Sequence, residues 1–225
     1  MKNLLILCAV LAATLAATVA TTAADQSTCP PYVKHDPGGD YTSSDDRAGL
    51  AVVEQYHFSR NVETLKQGMT GSLGGDISYT LEHFPNHHKA LAAMAKLGLR
   101  DKRVQPVGAR YTVSCYFERA IAFAPHDTTA RMVFGNYLLA TKQDAAALEQ
   151  LQEAARRSPE HATLQYNLGL LYVKRKEYAQ AREHAARAYA LGFPLQGLKN
   201  QLKKAGQWQE PPAETKADKD AATAE

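Results

Sequence analysis

The stretch Tyr166-Asn167-Leu168-Gly169-Leu170-Leu171-Tyr172, followed after five intervening residues by Tyr178-Ala179-Gln180-Ala181, decides the fold. Its skeleton also stands 34 residues upstream: Phe134, Gly135, Leu138, Ala147 and Ala154 occupy the places of Leu168, Gly169, Tyr172, Ala181 and Ala188. Phe117, Ala120 and Pro125 anticipate Leu151, Ala154 and Pro159 in the same way. A period of this length, with small residues at fixed offsets, marks a helix–turn–helix unit that stacks on its neighbours as a solenoid. The small residues stand where helices press backbone against backbone, and a larger side chain there would cost about 1–3 kcal/mol of overpacking strain.

Working outward, the spacing predicts helices near 127–141, 144–157, 161–174 and 177–191, with Phe193-Pro194 closing the array. Counted from Pro85 as from Pro125, Met94, Ala95 and Gly98 fall in register with Phe134, Gly135 and Leu138. That unit is stretched to 40 residues, the extra length lying in a basic loop at 100–110, and Gly98 supplies no side chain where Leu138 and Tyr172 stand. Beyond Pro194, Leu195, Leu198 and Leu202 oppose Lys199, Lys203 and Lys204, a half-polar helix suited to cover the open end of a stack. Gly206 stops it, and residues 207–225, rich in Pro, Ala, Lys, Asp and Glu, are too poor in apolar side chains to pack and read as a disordered tail.

Gly135, Ala147, Ala154 and Pro159, with Gly169, Ala181 and Ala188, resemble the tetratricopeptide-repeat (TPR) consensus of small residues in both helices and a Pro between units. The resemblance covers roughly residues 86–194, as units at 86–125, 126–159 and 160–194, before a capping helix at 195–206. A weaker likeness, through Asp40-Tyr41 to Asn86-His87-His88, is to the front part of small exported bacterial TPR proteins of no settled function. The expected fold is all-α: a TPR solenoid with a variant N-terminal helical cap at 46–85 and the C-terminal capping helix. Within the front cap, Leu50, Val53 and Tyr56 form one stripe, and Ser59 opens a short helix carrying Val62 and Leu65 that Gly68 and Gly71 end. Gly74-Gly75-Asp76 reads as a turn into a helix through Ile77, Leu81 and Phe84.

The N-terminus sets the compartment. Lys2 precedes an apolar run at 4–19, and either Thr18-Val19-Ala20 or Thr22-Ala23-Ala24 offers the small side chains of a cleavage site. Residues 1–24 therefore read as an export signal, and the mature protein as periplasmic or secreted, with no membrane span once the signal is cleaved. Leu7, where a small residue would be needed before Cys8, speaks against a lipid anchor. Residues 25–45, rich in Pro, Gly, Ser and Asp, read as an extended arm. An oxidising compartment permits Cys29 and Cys115 to pair, pinning that arm. The alternative is that Cys115 is a small apolar residue inside a helix.

A net charge of +3 over 225 residues, without a long Lys/Arg cluster interleaved with aromatics, gives no nucleic-acid reading. TPR proteins bind extended peptides along the face lined by each unit's first helix. The resemblance puts Lys89, Ala92, Lys96, Met132, Asn136, Tyr166, Asn167, Leu170 and Lys174 on that face. Asn136 and Asn167 match the asparagines of the family's carboxylate clamp, whereas Met132, Leu198 and Leu202 replace its basic residues. The groove is thus expected to offer amide and lysine donors to a protein or extended peptide.

His83, His87 and His88 tempt a metal reading, but Pro85 divides them and no HExxH or CxxCH occurs. His87 and His88 are expected half exposed in a first helical turn capped by Asn86. Gly71 to Asp76 lacks the Lys-Ser/Thr ending of a phosphate loop, and no nucleophile constellation is legible, so neither cofactor, metal nor enzymatic activity is expected. The function expected is a protein-binding adaptor or scaffold in envelope or surface-structure assembly. Its rivals are a self-assembling structural subunit and a metal- or ligand-handling periplasmic protein.

Overall fold

A computed structural model describes residues 29–209, and the expected export signal at 1–24 and most of the expected tail lie outside them. The described chain is all-helical. A 3-10 turn at Asp46–Gly49 leads into α1 (Leu50–His57), α2 (Arg60–Glu63), α3 (Leu73–His83), α4 (His88–Asp101) and α5 (Val113–Phe123). Then follow α6 (Thr128–Ala140), α7 (Asp144–Arg157), α8 (Ala162–Lys174), α9 (Tyr178–Ala190) and α10 (Gly197–Lys204). The most extensive pairings are α6 with α7 and α8 with α9, each folding back after a short connection, and α4 packs on both α3 and α6. One apolar core runs from Phe58 through Leu91, Met94, Phe117, Leu151, Leu168 and Leu171 to Leu202.

Local chemistry explains where the helices start and stop. Ser72, His87, Thr112, Asp127 and His161 each accept, through the side chain, the backbone N–H three residues on, which satisfies one orphan donor of the first turn. At the other ends of α4, α6 and α8, Lys102, Lys142 and Lys176 take left-handed φ values of 53°, 63° and 61°. Arg103 N–H then reaches Gly98 O at 2.9 Å, Gln143 N–H reaches Leu138 O at 2.8 Å and Glu177 N–H reaches Tyr172 O at 2.9 Å. These are Schellman closures, with a cation beside the negative helix end.

The small residues act as contact points. A Cβ on Gly135 would lie 2.7 Å from Leu151 Cδ2 and 3.5 Å from the carbonyl of Ala147 on α7, so α6 and α7 could not approach as closely. Ala147, Ala154, Ala181 and Ala188 have no exposed surface. At the far end Leu198 and Leu202 of α10 are buried against the core, while Leu195, expected on the same stripe, is 60% exposed because α10 begins only at Gly197. Gln207 N–H bonds to Leu202 O at 2.8 Å and the Trp208 ring stands 6.0 Å from that of Tyr189. Packing thus continues past Gly206 into the first residues of the expected tail.

The stretched region differs from expectation in an informative way. Gly74 and Gly75, read as a turn, lie in the first turn of α3, and the helix starts at Leu73 under the Ser72 cap. The loop between α4 and α5 rests on that turn: a Cβ on Gly74 would run into the carbonyl of Val107, and Gly108, at φ +80°, sits against Ser72. Gly98 has the same use, since a Cβ there would be 2.8 Å from Val113 Cγ2 and 3.0 Å from the Arg103 carbonyl. Buried Tyr116 fastens the loop by accepting Arg110 N–H at 3.0 Å and Tyr111 N–H at 3.3 Å, with Ser78 Oγ 2.5 Å from its hydroxyl.

The arm at 29–45 has no regular element and is held by bonds to residues distant in sequence. Cys29 is joined to Cys115 on α5 by a disulfide, S–S 2.00 Å. Tyr32 donates to His83 O at 3.1 Å, Gly39 N–H reaches the same carbonyl at 3.0 Å, and Tyr41 N–H reaches Asn86 Oδ1 at 2.8 Å. Leu50, Val53 and Phe84 make a second small core with Tyr41 against it, whereas Tyr56, expected to share their stripe, is 56% exposed.

Candidate functional site

The face made by α4, α6 and α8 carries the residues expected to line a groove, but it presents them unequally. Between α4 and α6 opens a cavity of about 240 Å3, walled by Ala92, Ala95, Leu99, Val133 and Tyr137, with Lys96 and Asn136 supplying the polar groups. Ala92, Ala95 and Leu99 form its α4 wall. Burial raises the pKa of Tyr137, so its phenol stays protonated at neutral pH.

Further along the face, Asn167 Nδ2 donates to Asn136 Oδ1 at 3.2 Å, bridging α8 to α6. Each amide keeps hydrogen-bonding capacity beyond that bond. Lys174 Nζ lies 2.6 Å from Asp144 Oδ1, and Lys89 Nζ lies 4.0 Å from Glu63 Oε1. Met132 and Leu170 are half-buried and pack against the core. Tyr166 is turned inward, 7% exposed, with its ring 4.2 Å from that of Phe193. The cavity thus unites Lys96 and Asn136, with Asn167 adjoining. Lys89, Met132, Tyr166, Leu170 and Lys174 stand outside it.

Sequence reasoning missed Leu99, Val133 and Tyr137, because apolar residues at helical spacing look like core whether or not a neighbour covers them. It also missed a cleft of about 430 Å3 on the side of α7 and α9, edged by Gln152, Arg156, Tyr172, His184 and Arg187. There Gln165 donates to Pro159 O at 2.7 Å and turns its Oε1 to His184 Nδ1, also at 2.7 Å, so Nδ1 carries the proton. Burial lowers the pKa of His184 and keeps the ring neutral at pH 7. Arg156 and Arg187 are occupied by Glu153 and Glu183 of their own helices.

The front-end histidines are taken up by structure. His87, expected half exposed and capped by Asn86, is itself the N-cap of α4: it is fully buried, its Nδ1 accepts Ala90 N–H at 3.1 Å and its Nε2 lies 3.0 Å from Glu54 Oε1. Asn86 instead donates to Asp40 Oδ1 at 2.7 Å and Asp127 Oδ2 at 3.0 Å, binding the arm to the start of α6. His88 Nε2 lies 2.7 Å from Asp127 Oδ2, His57 Nδ1 lies 3.2 Å from Asp76 Oδ1, and His83 Nδ1 meets the carbonyl of Pro37. Among the described residues, no group of three or more His, Cys, Asp or Glu is placed to hold a metal ion. No described helix is long and apolar enough to cross a membrane. No protein-family model matches the chain, and no curated protein matches it, so a functional reading rests on this geometry and the sequence pattern.

Proposed function

We propose that the chain is an exported tetratricopeptide-repeat protein, its helix pairs stacked as a solenoid, which serves as an adaptor or scaffold in envelope or surface-structure assembly. It does so by holding an extended segment of another protein across α4, α6 and α8. The observation that carries this reading is the open cavity between α4 and α6, with Lys96 and Asn136 at an otherwise apolar wall. An apolar peptide side chain seated there would bring its flanking backbone carbonyls or carboxylates to the Lys96 ammonium and the Asn136 and Asn167 amides. Binding of this kind needs no covalent step. It draws on a surface whose apolar wall is already fixed by helix packing, which reduces the entropy lost on association.

Selection from a displayed library of random peptides tests the reading. Recovered peptides should bind the purified protein and lose about tenfold or more in affinity to the double variant Lys96→Ala/Asn136→Ala, as removal of charge-assisted and amide hydrogen bonds implies. Peptides that bind the variant equally well would overturn the site, as would failure to recover any.

A further inference from the structure

Two loops lie side by side at the edge of the molecule. Arg100 Nη1, at the end of α4, donates to Leu65 O at 2.9 Å, and the turn at 106–109 rests on the start of α3, just after Met69 and Thr70. Val104 and Val107 are 73% and 61% exposed there, and Met69 is 46% exposed. Their backbone is fixed: Val113 N–H bonds to Val104 O at 2.8 Å, Ala109 N–H bonds to Pro106 O at 3.0 Å, and Met69 N–H bonds to Asp76 Oδ2 at 2.6 Å. The apolar side chains are therefore held outward on ordered loops.

Lys66, Arg100, Lys102, Arg103 and Arg110 flank them along the two loops, all exposed. Asp101 engages Arg100 at 2.7 Å and buried Glu82 reaches Arg110 at 3.5 Å. Lys66, Lys102 and Arg103 make no ion pair within 4.0 Å with any described residue, although Arg103 adds to Arg100 in lowering the pKa of Asp101.

We propose that this double loop docks on an anionic lipid surface, with Val104 and Val107 entering the headgroup boundary and Lys66, Lys102 and Arg103 facing lipid phosphates. A cluster of basic groups gains attraction from each cation near such a surface, and apolar side chains add a second, short-range contribution. The exposure of the two valines favours lipid over an acidic protein. A bilayer accepts small apolar groups without matching their shape, whereas a protein partner would need a wall for each. The inference goes beyond the peptide groove and does not depend on it.

Co-sedimentation of the purified protein with vesicles tests it, comparing phosphatidylcholine alone with an equal mixture of phosphatidylcholine and phosphatidylglycerol. Partition into the anionic vesicles should be about tenfold or more greater, and should fall in about 0.5 M salt as the charges are screened. Lys102→Glu with Arg103→Glu should abolish it, and Val104→Ser with Val107→Ser should reduce it several-fold. Lys96→Ala/Asn136→Ala should leave it intact. Unchanged melting curves by circular dichroism identify variants that remain folded. Equal partition into both kinds of vesicle overturns the proposal, as do folded loop variants that bind like the parent. Binding of soluble polyglutamate without binding of anionic vesicles also overturns it and assigns the loops to an acidic protein.

Discussion

Asp76 shows how much of the front of the molecule rests on single residues. It is 1% exposed and accepts Met69 N–H at 2.6 Å, the Thr70 hydroxyl at 2.6 Å and Thr70 N–H at 3.2 Å, with His57 Nδ1 3.2 Å away. Burial alone would raise its pKa, but these hydrogen bonds outweigh burial and hold the carboxyl below its ordinary value. A folded pKa held below the unfolded value, about 3.9, stabilises the fold fully above that pH and loses the contribution as pH falls through the folded pKa. Asp76→Asn should therefore cost about 1–3 kcal/mol at pH 7, since an amide cannot accept all of these donors. The gap from the parent should shrink as the medium is acidified below the unfolded carboxyl pKa. Urea denaturation at neutral and acid pH measures both, and a gap that does not change with pH would refute the account. None of this was legible beforehand: Asp76 followed two glycines and read as a turn residue. Asn136 and Asn167 were legible only through the family resemblance: they stand 31 residues apart on α6 and α8, out of step with the 34-residue period.

At the scale of elements, the repeat predicted the two regular helix pairs well and the stretched region poorly, for one physical reason. Gly-Gly ordinarily disfavours helix interiors, by about 1 kcal/mol per glycine, so Gly74-Gly75 read as a turn. Here a distant loop lies against the first turn of α3 and leaves no room for a Cβ on Gly74. That tertiary requirement overrides propensity, and it comes from residues 106–109, which sequence periodicity could not place. Gly98 has the same explanation: its missing side chain gives Val113 and the Arg103 carbonyl the space they occupy. Gly74→Ala should destabilise by about 1–3 kcal/mol as the Val107 carbonyl is pushed off. The Ala109 amide, now bonded to Pro106 O at 3.0 Å, should exchange its hydrogen faster, while amides of α8 and α9 are unaffected. Uniform protection across the chain would show that the loop does not depend on that contact.

At the scale of the whole molecule, the periodic part of the chain pairs locally, α6 with α7 and α8 with α9. The arm does not. Its bonds run from residues 32, 39 and 41 to the carbonyl of His83 and the side chain of Asn86, acceptors that any sequence offers in quantity, so no pattern could announce them. The covalent tie is the exception, since Cys29 and Cys115 were visible as a pair that an oxidising compartment would permit. With a sequence separation of 86, the disulfide closes a long loop, and the chain-entropy model sets its ceiling near 4–5 kcal/mol. The hydrogen bonds made by residues 32, 39 and 41 use neither cysteine, and no helix starts or ends on Cys29. Cys29→Ser/Cys115→Ser should accordingly lower stability by about 2–4 kcal/mol while leaving the helical circular dichroism of the folded protein unchanged. Both follow from one urea titration monitored at 222 nm. An unchanged midpoint would mean that the denatured chain gains nothing from release of the arm, and a loss of native helical signal would mean that the arm organises α5 as well as resting on it.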